Sequence, residues 1–360
     1  MTGTRQALLT GLGAGAALLA LAGCELAPKS SRQTGYRGTG LAQVSNTHHK
    51  LPDDSIPPEP YPLGPDTGPR AREQYANLQV LGDLSADEFN RLMMSITSWV
   101  APQQGCTYCH DPENLASDKP YTKRVARRMI QMTRAINGQW ASHVKQTGVT
   151  CYTCHRGENV PLQTWTMAPA GGLGTVRGNR HGQNSPDPNV GYAALPFDPF
   201  NSYLKGKTDE IRVASSHVFP SGAPERGIKD AEGSYGLMMH ISSALGVNCT
   251  FCHNSQSFRS WNESTPQRAL AFYGIRMVRD INADYIGPLA AIFPPARLGP
   301  AGDARKVNCA TCHQGKNKPL GGFNMLKDNP ALGPRRAPPI AAAAPVPALA
   351  APARGAATGR

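Results

Sequence analysis

The chain has 360 residues, with 37 Gly, 32 Pro and only 7% aromatic side chains, so much of it is irregular and its own side chains make a thin apolar core. Eight of the nine cysteines fall in four Cys-x-x-Cys-His segments, which leaves none for a disulfide framework. The net charge of +12 suits an acidic partner or surface, or plain solubility; no nucleic-acid motif accompanies it, so it does not read as a nucleic-acid signal.

Residues 1–23 read as an export signal. Arg5 supplies the positive start, and the apolar run Ala7 to Ala22 is short and broken by Gly11, Gly13 and Gly15, unlike a membrane span. It ends in Leu21-Ala22-Gly23-Cys24, which resembles the bacterial lipoprotein processing box. Cys24 is the one cysteine outside the four segments, and lipid on it would tether the chain to a membrane without spanning it. Residues 24–84 read as an extended arm, with Pro52, Pro57, Pro58, Pro60, Pro62, Pro65 and Pro69 among Gly, Asp and Ser; that composition suits a strap.

The first folded unit spans 85–162. Ser85-Ala86-Asp87-Glu88 is a capping box, and a helix to about Val100 carries Phe89, Leu92, Met93 and Ile96 on one face. A turn then leads to Cys106-Thr107-Tyr108-Cys109-His110. A second helix, from near Pro120 to about Asn137, has Val125, Met129, Met132 and Ile136 on one face and Arg124, Arg127 and Arg134 on the other. His143 follows, then Cys151-Tyr152-Thr153-Cys154-His155. Residues 163–231 read as a connecting segment, with a short element between Thr208 and Ser216.

The second unit, 232–326, repeats the first. Leu237-Met238-Met239-His240-Ile241 parallels Leu92-Met93-Met94-Ser95-Ile96, and Met277-Val278-Arg279-Asp280-Ile281-Asn282 parallels Met132-Thr133-Arg134-Ala135-Ile136-Asn137. Its motifs are Cys249-Thr250-Phe251-Cys252-His253 and Cys309-Ala310-Thr311-Cys312-His313, with Thr265-Pro266 opening the helix between them. Residues 327–360 read as a disordered Pro/Ala tail.

Cys-x-x-Cys-His is the attachment site of c-type haem. Two thiols add to the two porphyrin vinyl groups, and the adjacent His ligates the iron. Four copies that use every cysteine but one argue against a zinc site or chance. The expected fold is therefore mainly α with extensive irregular chain: a multihaem c-type cytochrome, an internal duplication of a two-haem module with approximate two-fold symmetry.

The sixth ligands decide between electron transfer and chemistry at the metal, and Met raises the potential relative to His. The candidates are Met93 or Met94 for the first haem, Met129 or Met132 for the second, and Met238, Met239 or His240 for the third. Helical stripes favour Met93 and Met238. In the repeat Met132 corresponds to Met277, whereas Met129 corresponds to Gly274. If Met129 is the ligand position, the fourth iron has lost its methionine and takes Met277 or a histidine from elsewhere; His143 lies just before the second motif.

With these residues in place the sequence resembles the tetrahaem cytochrome c subunit of purple-bacterial photosynthetic reaction centres, from Cys24 through the tail of the fourth motif. The resemblance implies three His/Met haems, His110 with Met93, His155 with Met129 and His253 with Met238, and one His/His haem, His313 with His143. It implies a place on the periplasmic face of the photosynthetic membrane, against the membrane-spanning subunits that bear bacteriochlorophyll. There the subunit re-reduces the photo-oxidised special pair, and a soluble carrier re-reduces it, a cytochrome c2-like or a high-potential iron–sulfur protein. The haems would form a near-linear array with the third nearest the special pair. A multihaem reductase would need an open ligand position and typically a Cys-x-x-Cys-Lys motif, which the chain lacks. A respiratory cytochrome would more often be bis-His throughout.

Overall fold

The computed structural model describes residues 55–167, 198–206, 211 and 228–334, together with the backbone of two strands in the arm. Those strands, β1 (Lys29–Gln33) and β2 (Ala42–Asn46), pair antiparallel. The signal segment, Cys24, most of Thr208–Ser216 and residues 335–360 lie outside the described residues.

The described chain is mainly helical. Helix α1 (Ala71–Gln74) lies in the arm. Helix α2 (Ala86–Val100) starts where the Ser85 hydroxyl accepts the Glu88 N–H at 3.2 Å, the N-cap contact that satisfies an otherwise orphan donor. It stops just before Pro102, which disfavours helix in the preceding residue. Helices α3 (Tyr121–Gln139) and α4 (Ala141–Val144) lead to α5 (Cys151–His155), which is the second motif itself. After α6 (Pro199–Tyr203) come α7 (Ile228–Leu245), α8 (Pro266–Asp280) and α9 (Cys309–His313), the fourth motif. The first and third motifs instead form 3-10 turns, Gly105–Tyr108 and Cys249–Phe251. A second antiparallel pair joins β3 (Thr164–Trp165) to β4 (Lys306–Val307).

Contacts made in residues 85–162 recur in residues 228–326. Thr122 and Thr265 each donate a hydroxyl to a motif carbonyl, Tyr108 O and Phe251 O, both at 2.6 Å. Asn137 holds both polar backbone groups of Val149, at 2.8 and 2.9 Å, and Asn282 holds both of Val307, each at 2.9 Å. Gly157 donates to Trp99 O as Gly315 donates to Ala244 O.

Three segments depart from the sequence-based layout. The arm is not only a strap: Val80, Leu81 and Leu84 join Leu92, Trp99 and Tyr152 in one buried cluster. The connecting segment contains α6, whose Phe200 and Tyr203, with the following Leu204, are buried against Leu237 and Val278. Residues 327–334, counted with the tail on composition, are ordered, and Leu332 is fully buried against the first cluster. Short buried anchors inside Pro/Gly-rich chain carry no periodicity, so composition alone hid them.

Arg134 is also displaced from its expected place. It is buried, not on a solvent face, and its Nε donates to Ala331 O at 2.8 Å. Arg279 is its counterpart, donating to Tyr203 O at 2.6 Å. Asn137 and Asn282 add bonds to Leu332 O and Leu204 O, each at 2.8 Å. The segment that trails each half is thus gripped by the helix of the other half.

Arg91 closes the first half. It is 2% exposed and donates to Tyr61 O, Asp328 O, Asn329 Oδ1 and Glu59 Oε2 at 2.7–3.1 Å. A buried guanidinium is tolerated because its donors are matched, and the match ties arm, α2 and residues 328–329 together.

Candidate functional site

Each motif histidine is held the same way. Nδ1 lies 3.0 Å from Leu115 O in His110, 2.8 Å from Glu158 O in His155, 3.0 Å from Phe258 O in His253 and 2.9 Å from Lys316 O in His313. A carbonyl can only accept, so Nδ1 carries the proton and Nε2 presents its lone pair. A backbone acceptor behind the ring is the usual support of a metal-bound histidine. The supports come in two kinds. In the first and third motifs the carbonyl is five residues on; in the second and fourth it is three residues on. The latter geometry needs a left-handed residue straight after the histidine, supplied by Arg156 (φ 52°) and Gln314 (φ 48°), each followed by a glycine.

Three of these imidazoles are shifted toward the neutral form by burial. Burial lowers the pKa of His155 and His253, and that of His313 to about 4. A neutral ring is the form a metal takes. Burial pushes the cysteines the other way, Cys109 and Cys252 to about 11 and Cys151 and Cys309 to about 12. Burial thus keeps these four sulfurs protonated, unlike the low-pKa thiolate of a catalytic cysteine. Among the described residues no three His, Cys, Asp or Glu converge on one metal position.

Burial separates Met93 from Met94 but not the other methionine candidates. On α2, Leu92, Ser95 and Trp99 face the protein core, Met93 lies half-buried on the flank with Phe89 and Ile96, and Met94 is 52% exposed. On α7, Leu237, His240, Ile241 and Ala244 are buried and Met238 packs on their edge. The third stripe is therefore centred on Leu237 and Ile241, with Met238 to one side of it. His240 is turned to Phe200, ring centroids 4.5 Å apart. Met129 and Met132 both line a cleft with Cys151, Cys154 and His155, with about 1250 Å³ of empty space counting its open mouth. Its wall is largely apolar, which suits a flat apolar macrocycle.

His143 reaches across the halves. A Cβ built on Gly274 would lie 2.6 Å from His143 Cε1 and 2.9 Å from Nδ1, so only glycine lets the ring sit there. Nδ1 is 2.8 Å from Leu270 O on α8, which leaves Nε2 free to act as a ligand. The ring centroid stands 6.1 Å from that of His313. This is the spacing of two imidazoles on opposite sides of one metal, with metal–nitrogen bonds of about 2 Å each. Met277, the alternative, is 7% exposed in an apolar cluster with Ile136 and Ile281. The second and fourth motifs also meet directly, with Cys154 Sγ 2.6 Å from Cys312 Sγ. The residues thus fit haem.

Paired thiols beside a carbonyl-supported histidine, on helices with little strand, define a c-type cytochrome, whose haem c is covalently bound. The family described as the photosynthetic reaction centre cytochrome C subunit matches residues 25–333. The protein called photosynthetic reaction center cytochrome c subunit in Rubrivivax gelatinosus is 50% identical over 330 residues, 91% of this chain and 89% of that one. Its namesakes in Thermochromatium tepidum and Roseobacter denitrificans are 48% and 41% identical, covering 87% of this chain and 77% and 88% of theirs. The chain belongs to the family of photosynthetic reaction centre cytochrome c subunits.

What sequence reasoning missed lies around these ligands. The Asn137 and Asn282 clamps and the buried Arg134 and Arg279 were visible as a repeated Arg-x-x-Asn, but repetition alone did not say inward. Arg91 had no such signal, since its partners lie 32 and 238 residues away.

Proposed function

We propose that this chain is a four-haem electron carrier of the reaction centre, re-reducing the photo-oxidised special pair and being re-reduced by a soluble periplasmic carrier. Each motif attaches one haem through its cysteines, Cys106 and Cys109, Cys151 and Cys154, Cys249 and Cys252, Cys309 and Cys312. Their histidines are the proximal ligands. Met93, Met129 and Met238 complete the first three irons, and His143 the fourth. The observation that carries the reading is His143 seated on Gly274 beside His313. The repeat loses a methionine at that point and the other half supplies an imidazole.

With every iron six-coordinate the chain moves electrons and does no bond chemistry. The haem supplies the one-electron couple; the protein fixes the axial ligands, keeps water from the apolar faces and sets the potentials. The recurring contacts support a duplicated two-haem module with approximate two-fold symmetry. Among the described residues no helix is long and apolar enough to cross a membrane; lipid on Cys24 would hold the chain on the periplasmic face, against the core subunits.

Flash illumination of the purified complex tests this directly. Haem absorbance should bleach as the special pair recovers, with all four haems low-spin. Haems that stay reduced after the flash would sink the proposal. Carbon monoxide binding to the native protein would favour an open-site reductase instead.

A further inference from the structure

The carbonyl behind one motif histidine is shared. Leu115 O supports His110 Nδ1 at 3.0 Å and also accepts from Lys123 Nζ at 2.8 Å. Lys123 stands in the first turn of α3 and is buried. Its other partners are Ser117 O at 3.0 Å and Asp118 Oδ1 at 3.7 Å. Asp118 is held more closely by Arg127, at 2.8 Å. The neighbouring Thr122 fastens the same turn to Tyr108 O, inside the first motif. An ammonium therefore sits one carbonyl away from the first motif's imidazole.

The repeat supplies the control. Phe258 follows His253 at the distance at which Leu115 follows His110, and Ser260 matches Ser117. The cation of the second half is Arg268, which donates to Ser260 O and Ser264 Oγ, each at 2.7 Å. Both halves thus place a cation on the matching serine carbonyl. Only Lys123 also reaches the carbonyl behind the histidine: Phe258 O supports His253 at 3.0 Å and, among the described residues, takes no side-chain cation.

We propose that Lys123 is a positioning residue for the first haem: by sharing Leu115 O with His110 it weakens the hydrogen bond behind the proximal ligand and holds that haem's potential up. The proposal rests on the four-haem reading above, in which His110 and Met93 are the ligands. A ligand histidine whose Nδ1–H gives to a strong acceptor becomes more basic and donates more electron density to the metal, which favours the ferric state. The two lone pairs of a carbonyl oxygen draw on one supply of electron density. A charge-assisted bond from an ammonium pulls on that supply, so Leu115 O accepts less well from His110 than Phe258 O does from His253. The charge itself acts in the same direction, since ferric iron carries one more positive charge than ferrous. Asp118 offsets part of that charge but leaves the shared carbonyl as it is.

The test is a potentiometric titration of the intact complex carrying Lys123→Met, which keeps the apolar stem and removes the charge and the donor. Haem content should stay at four, all low-spin; three components should not move and one should fall. The expected fall is about tenfold in reduced-to-oxidised ratio, which is about 59 mV for one electron. Lys123→Arg, which restores a cationic donor, should recover most of it. Met93→His, which lowers the first haem by changing its ligand, must move the same component. The methionine-to-iron charge-transfer band should persist in Lys123→Met, whereas a merely structural role would release Met93 and lose it. Four low-spin haems with no shift overturn the proposal, as does a shift in a component that Met93→His leaves alone. If Lys123→Met fails to assemble, Lys123→Gln carries the test through a neutral donor, and unmoved potentials there overturn it equally. A native count below four, or a Met93→His variant that moves no component, would instead overturn the four-haem reading.

Discussion

Gly274 is defined by what it lacks. At the matching place in the other half stands Met129; here the missing side chain is the space His143 fills. Replacing His143 with Met should raise one haem potential and leave three nearly unchanged in a redox titration, and four unmoved components would remove His143 from the ligands. Gly274→Ala puts a methyl group where the Cε1 contact is 2.6 Å, so the ring must leave. We expect a high-spin signal from one haem in four by electron paramagnetic resonance. An unchanged low-spin spectrum would show that the ring can slide aside and still bind.

The asymmetry of Met129 against Gly274 was legible in the sequence because it breaks a repeat. The partner's identity followed from the resemblance, and its physical reason needed three dimensions. No one-dimensional pattern shows that residue 143 lies over residue 274.

At the scale of elements, the helices were readable because their signals are local: Ser85 at a cap, Pro266 at a first turn, apolar side chains at helical spacing. The layout of α2 also shows why a stripe marks more than one kind of surface. The fully buried face and the half-covered flank are different faces of one helix, and hydrophobicity marks both. The deeper face belongs to Leu92 and Trp99, the half-covered one to Met93. Joints between elements were not legible, because they are made by polar side chains acting at a distance. Asn137 is such a joint. Asn137→Ala would leave the half-buried Val149 N–H without its partner, at a cost of about 1 kcal/mol for that group alone. Thermal unfolding should shift down accordingly, and Asn282→Ala should do the same through Val307. If either variant melts like the parent, the clamp is not stabilising.

At the scale of the whole molecule, the halves do not stand side by side as finished units. Residues 199–204, which follow the first half, are gripped by Arg279 and Asn282; residues 329–332, which follow the second, are gripped by Arg134, Asn137 and Arg91. Ending the chain at residue 326 should therefore destabilise the first half, although every motif and every proposed ligand is retained. Ending it at 334 should not. Differential protection of α3 amides from hydrogen exchange in the two truncations checks this, and equal protection would mean the grip is incidental.

That crossing has a consequence for how the protein comes into being. A chain is made from its amino end, so residues 85–162 exist before the segment that Arg134 and Asn137 grip, which follows about two hundred positions later. The first half can make its own contacts early, but its grip on residues 331–332 waits for the last stretch of the described chain.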